Sequence, residues 1–162
     1  MKKRYMGSPK TFQAPLQIGG VPKRETRTQF AALCYRTRKT GVEVLLVTSR
    51  DTRRWIIPKG WPMDGLTPAD AAAQEAWEEA GVKGNAHDHV AGIYSYNKKM
   101  EDGPDLPCIV AVFPVEVKKL EAEFPEMTMR KRKWFTPKKA AARVRELELK
   151  LILREFDPSR LR

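Results

Sequence analysis

The sequence predicts an α+β domain in which helices pack on a mixed β-sheet. Three observations lead there. Short β-branched or aromatic runs separated by turn-like segments fill much of the chain, a capped alanine-rich helical segment interrupts them, and an amphipathic helical segment closes it.

In chain order, residues 1–25 mix basic residues with Pro9, Pro15, Gly19, Gly20 and Pro22 and lack periodicity, so they read as an arm ahead of a domain spanning 26–162. "TQFAALCYR" (28–36), "VEVLLVTSR" (42–50) and "WIIP" (55–58) are expected strands. Thr67-Pro68-Ala69-Asp70 starts a helix, with Thr67 as N-cap and Pro68 in the first turn, and Gly81 stops it, so it should run over 68–80. "HVAGIYSYN" (89–97), "CIVAVFPVEV" (108–117) and "RKWF" (132–135) return to the strand signal. Pro114 should place its strand at an edge or on a bulge, because proline cannot donate to a ladder. Thr136-Pro137 opens a second helical stretch whose apolar residues Val144, Leu147, Leu151, Ile152 and Phe156 continue to the end of the domain.

The chain of 162 residues suits one core. Its 31 Lys and Arg against 20 Asp and Glu leave a net charge of +11, which favours anionic partners, phosphates or nucleic acid. Cys34 and Cys108 lie far apart in apolar runs and read as buried thiols. The run after Met1 is too interrupted for a secretory signal, and no stretch is long and apolar enough for a bilayer, so no membrane partner and a cytoplasmic location are expected. His87-Asp88-His89 reads as a turn entering a strand, ahead of a metal motif.

Within this basic chain, Glu75, Glu78 and Glu79 crowd one helix face: with Glu75 at zero and about 100° per residue, Glu79 falls near +40° and Glu78 near −60°. Ala69, Ala73, Ala76, Trp77 and Ala80 make the expected core face, with the carboxylates pointing elsewhere. Like charges at this spacing repel, so a cation is expected beside them. Hard carboxylate oxygens suit Mg²⁺ or Mn²⁺. Spacing leaves open an acidic face neutralised by Lys and Arg.

Gly60, five residues, Leu66, seven residues, then Gln74-Glu75-Ala76-Trp77-Glu78-Glu79-Ala80-Gly81-Val82 resembles the signature of the Nudix hydrolases, G-x5-E-x7-R-E-U-x-E-E-x-G-U with U aliphatic. Leu66 and Gln74 stand where the family carries a mutually paired Glu and Arg, so a repacked brace is expected. The resemblance implies a Nudix fold, with a mixed sheet between helices (α/β/α). It also implies that the Gly60 carbonyl, Glu75 and Glu79 ligate Mg²⁺ or Mn²⁺, and that Glu78 is a further ligand or the catalytic base activating water against a P–O–P linkage.

Within the family the likeness points toward diphosphoinositol polyphosphate phosphohydrolases and diadenosine polyphosphate hydrolases, carried by "AALCYR", "EVLLVTSR", "RRWIIPKGW", "EEAGVKG" and "RKRKWFTP". It implies substrate-binding roles for Arg27, Ser49, Arg50 and Lys131, and Lys59 in the loop before the helix joins them. The expected partner is therefore a polyphosphorylated small molecule. "TMRKRKW" (128–134) either lines such a pocket or forms a solvated or nucleic-acid-binding surface. Trp61 is the candidate base platform, Trp55 reads as core, and Glu126 leads Glu121 and Glu123 as a candidate distal base. Rival readings are an ADP-ribose or nucleoside-diphosphate-sugar pyrophosphatase, an RNA 5′-end pyrophosphohydrolase, or a binding module on the same fold.

Overall fold

The computed structural model describes residues 27–161; the arm expected over 1–25 lies outside the described residues. Eight strands form one sheet: β1 (Arg27–Arg38), β2 (Gly41–Thr48), β3 (Trp55–Ile56), β4 (Lys59–Gly60), β5 (Val82–Ala86), β6 (Gly92–Lys98), β7 (Leu106–Leu120) and β8 (Arg132–Phe135). The order is β3-β2-β1-β7-β5, with β4 on β1, β6 on β7 and β8 on the outer side of β2. The β1–β7 pair is parallel and the others are antiparallel, so the sheet is mixed. Helices α1 (Pro68–Ala80), α2 (Pro137–Arg143) and α3 (Leu147–Arg154) complete the domain.

Alternation along β1 builds two cores, because successive side chains leave opposite faces of a strand. Ala31, Leu33 and Tyr35 join Val44, Leu46, Val110 and Val112 beneath α2 and α3. Ala32 and Cys34 join Leu45, Val47, Phe113 and Val115 beneath α1. Both cysteines are buried free thiols, as expected.

Helix α1 has the expected bounds: Thr67 Oγ1 accepts from the Asp70 N–H at 3.2 Å, and Gly81 closes it at φ 68°. Its buried arc is rotated from the expected one. Ala71, Ala72, Ala76 and Ala80 are buried together with Glu79, whereas Ala73 and Trp77 are only half-buried. Trp77 instead lies under the Lys83 ammonium at 5.2 Å from the ring centre. The rotation brings Glu79 into the buried arc and leaves Glu75 and Glu78 half-buried.

Pro114 is not on an edge strand. β7 runs through the sheet interior, and Pro114 pairs in register with Leu33 on β1. Its carbonyl accepts from the His87 N–H on the other side, at the point where β7 changes partner from β6 to β5. The N–H and C=O of a strand residue point to the same side. The missing donor therefore falls in the gap between two partners and leaves no ladder bond unmade.

The terminal helix is two helices. Val144 is extended (φ −84°, ψ 159°) and 2% exposed, and Glu146 caps α3 without a side-chain bond to its N-terminus. That carboxylate goes instead to Arg54 Nη1, at 2.8 Å. Burying Val144 and pairing Glu146 across the domain outweighs one continuous helix. The strand β5 and the two-residue strand β4 were absent from the sequence reading: β5 has a polar, glycine-containing sequence, VKGNA, and forms by pairing on β7.

Candidate active site

The N-cap and alanine face of α1 press its carboxylate-bearing side against β4, which is held on β1 by Phe30–Gly60 and Ala31–Lys59 pairing. The approach is close. A Cβ on Gly60 would lie 2.1 Å from Glu75 Oε1, so any other residue would displace that carboxylate from where it stands. Glu79, 3% exposed, accepts from the Lys59 N–H at 3.0 Å and pairs with Arg130 Nη2 at 3.2 Å. Arg130 is itself buried and fully engaged: it also binds Glu126 Oε1 at 3.2 Å and donates to the Thr48 carbonyl at 3.0 Å.

Around these groups opens a cleft of about 300 Å³, lined among others by Ser49, Arg50, Lys59, Trp61, Tyr96 and Lys98. The loop after β2 folds tightly enough to aim Arg50 there. Ser49 Oγ bonds Thr52 Oγ1 at 2.8 Å and accepts from the Arg54 N–H, and Arg53 takes a left-handed φ of 53°. Arg50 reaches Glu126 at 3.8 Å. On the opposite wall the Tyr96 hydroxyl donates to Gln29 Oε1 at 2.5 Å, with the Lys59 ammonium 5.3 Å from the Tyr96 ring centre.

Charge is strongly perturbed here. Burial, then the charges of Glu79 and Glu78, push the Glu75 carboxyl up to about 8. Glu79 is also raised, burial outweighing the opposing pull of Arg130 and Lys59. Burial lowers the Lys59 ammonium to about 8. Two adjacent carboxyls, one half-buried and one buried, that resist ionising together are relieved by a cation as well as by a proton.

The expected site residues divide into two groups. Gly60, Glu75, Glu79, Ser49, Arg50 and Lys59 converge on the cleft. Glu78, Lys131 and Arg27 are not among its lining residues. Glu78 Oε1 accepts from Gln74 Nε2 at 3.2 Å, and Leu66 is 43% exposed, so the brace is not repacked as expected: Gln74 has turned to Glu78. Lys131 is exposed and contributes its backbone N–H to Thr48 Oγ1, while its neighbour Arg130 occupies the cleft. Arg27 opens β1 opposite Cys108. Of "TMRKRKW", Arg130 alone lines the cleft, because the strand start turns its neighbours elsewhere. Gln29, Tyr96 and Lys98 carried no local signal; strands distant in sequence bring them in.

Among the described residues no group of three or more His, Cys, Asp or Glu side chains has metal-holding geometry. The donor set that fits a divalent cation is smaller: two carboxylates of raised pKa, Glu75 against Gly60 and Glu79 against the neighbouring Lys59 N–H. That suits Mg²⁺, which takes one or two protein carboxylates and leaves other positions to water and phosphate. His87 bonds the Tyr35 hydroxyl at 2.9 Å beside an exposed turn, in keeping with a structural role.

The NUDIX domain model matches residues 26–156. Nudix hydrolase 12, mitochondrial, of Arabidopsis thaliana is 34% identical over 118 residues, covering 71% of this chain and 58% of that protein. Diphosphoinositol polyphosphate phosphohydrolase 3-alpha of Mus musculus is 33% identical over 107 residues, covering 65% of this chain and 61% of that protein. The chain thus spans about 60% of the length of these relatives. In fold it is similar to the C. elegans Ap4A hydrolase, with a TM-score of 0.57 at 18% identity over 80% of this chain and 94% of that one. It is similar likewise to the E. coli dihydroneopterin triphosphate pyrophosphohydrolase, with a TM-score of 0.59 at 17% identity over 80% and 93%. With its glutamate-bearing helix seated on a glycine strand and most of its length matched, the chain belongs to the Nudix family.

Proposed function

We propose that this protein hydrolyses P–O–P linkages in polyphosphorylated small molecules, with diphosphoinositol polyphosphates and diadenosine polyphosphates as the candidate substrates. The observation that carries the reading is the packing of Glu75 on Gly60 and of Glu79 on the Lys59 N–H at the foot of a cleft rimmed by Arg50, Lys59 and Lys98. Glu75, Glu79 and the Gly60 carbonyl would hold Mg²⁺ or Mn²⁺. When bound, that ion supplies charge neutralisation at phosphate oxygens and lowers the pKa of a coordinated water.

The chain's own groups do the rest. Arg50, Lys59 and Lys98 bind and orient the phosphates, Arg50 by its planar fork and the lysines as point charges. Water oxygen bonds to phosphorus, the bridging P–O bond breaks, and the water proton passes to a carboxylate. Glu126 already lines the cleft for that role; Glu78 would first have to release Gln74. Loss of turnover and of the acidic limb of the pH–rate profile in Glu126→Gln but not Glu78→Gln assigns the base to Glu126, and the opposite result assigns it to Glu78.

Trp61, 40% exposed, lies with Tyr96 on the cleft wall and favours a substrate carrying a base over an inositol. Phosphate release with Mg²⁺ from diadenosine polyphosphates, diphosphoinositols, ADP-ribose and triphosphorylated RNA tests the class. Trp61→Ala should raise KM for the diadenosine compounds alone. If no compound in the panel is hydrolysed, the reading fails.

A further inference from the structure

Outside the cleft, one surface carries charge without compensation. From Met127 to Arg145 the chain has eight Lys and Arg and no Asp or Glu. Arg130 belongs to the cleft, and Arg132 donates to the Ala80 carbonyl beside Phe124. Four of the exposed members, Lys131, Lys133, Lys139 and Arg143, form a row. Lys133 Nζ and the Arg143 guanidinium lie 5.5 Å and 5.8 Å from the centre of the same ring, Phe135, which brings strand β8 and helix α2 together. Lys139 and Arg143 are four residues apart on α2 and share a face. Lys131 precedes Lys133 by two residues, about 7 Å at strand rise. None of these four has a carboxylate partner among the described residues.

The other end of the sheet is treated differently. Lys118 pairs with Glu116, and Lys119 and Lys83 pair with Glu121 at 3.1 Å and 3.8 Å. Charged lysines on an edge strand guard against sheet–sheet pairing, which would account for Lys133 alone. It does not account for α2, a helix, placing Arg143 on the same ring and Lys139 in line with it.

We infer that the row Lys131–Lys133–Arg143–Lys139 is a binding surface for the phosphate backbone of a nucleic acid. Cations repeating along a line suit a chain of regularly spaced phosphates better than an isolated anion. β8 and α2 carry no exposed large apolar side chain; the exposed Met127 and Met129 precede the row, so insertion into a membrane surface is not built into its length. The adjacent rings are already covered, Trp134 by Arg36 at 4.0 Å and Phe135 by Lys133 and Arg143, so bases find no stacking platform. Recognition is then by phosphate charge, indifferent to sequence and steeply salt-dependent. The inference is independent of catalysis in the cleft.

The test is fluorescence anisotropy of the full chain with a labelled 5′-hydroxyl 12-mer of oligo(U), in EDTA, across a salt series. The triple variant Lys133→Gln/Lys139→Gln/Arg143→Gln should weaken binding at least tenfold and reduce the slope of log K against log salt by about 2, at about 0.7 per phosphate contact. The control Lys83→Gln/Lys118→Gln/Lys119→Gln removes the same charge from the opposite end and should leave both unchanged. A DNA 12-mer should bind as the RNA does. Equal loss in both triples, absence of binding by the wild type, or binding only to acidic vesicles each overturns the inference; circular dichroism confirms that both variants fold.

Discussion

Two Arg–Glu pairs with buried carboxylates look alike in this domain and do different work. Arg130–Glu79, at 3.2 Å, closes one end of the cleft; Arg54–Glu146, at 2.8 Å, fastens the joint between α2 and α3. The shorter pair is the simpler one. Among the described residues Glu146 has one cationic partner, and its second oxygen, Oε2, is buried without a hydrogen-bond partner. Glu79 has Arg130 and the Lys59 N–H, yet its carboxyl remains raised because burial, with the charge of Glu126 beside it, outweighs them. The neighbour decides the use: a second carboxylate makes the first pair, on the proposed function, a place for another cation, while a helix junction makes the second a clasp.

The largest effect that separates the two comes from Glu79→Gln. It should cut turnover about 10²- to 10³-fold, the scale of losing one charge-stabilising group at a reacting phosphate, with circular dichroism unchanged. Wild-type turnover in that variant would break the comparison. Gly60→Ala approaches the same pair from the strand. Its Cβ would sit 2.1 Å from Glu75 Oε1, so the carboxylate must move; a roughly 10²-fold loss of kcat is expected, with a smaller fall in Tm.

At the clasp the readout reverses. Arg54→Met strands Glu146 and should cost about 2–3 kcal/mol by urea unfolding, below the ~3–5 kcal/mol of fully buried pairs because Arg54 is partly exposed. Turnover per folded molecule should stay within about twofold of wild type, on the scale of substitutions that do not touch the reacting groups.

The smallest effect is on pH. Glu75 has a folded-state value of about 8, above its ordinary value, so the folded protein holds the proton more tightly than the unfolded chain does. Its contribution to stability is complete below about pH 4.5 and is lost as pH rises through 8. In EDTA, Tm should therefore fall over that range, and added Mg²⁺ should raise Tm most near pH 8 and least near pH 5. A Mg²⁺ shift independent of pH would remove Glu75 from the cation site.

How much could be read in advance follows the range of the interactions. Thr67, Pro68 and Gly81 act within four residues of themselves, so α1 was legible to the residue. The second helix was not, because its break at Val144 answers to the α2–α3 core and to Arg54, 92 positions from Glu146. Pro114 was misplaced for the same reason: whether a strand tolerates proline depends on its partners, which local composition does not reveal. Within the site, box spacing found Gly60, Glu75 and Glu79, whereas Arg130, Gln29 and Tyr96 needed the strands to be assembled.

By itself, then, the sequence determined that a capped, alanine-backed helix would carry three glutamates in a basic chain, because caps and periodicity are properties of neighbouring residues. Tertiary structure decided which of those glutamates faces the cleft. Packing on the sheet rotated the helix so that Glu79 is buried against Lys59 and Arg130 and Glu75 against Gly60, while Glu78 was left to Gln74. Alanine is small on every side, so the helix alone does not specify which arc approaches; the depth available beside a glycine strand, and a buried arginine from another part of the chain, do.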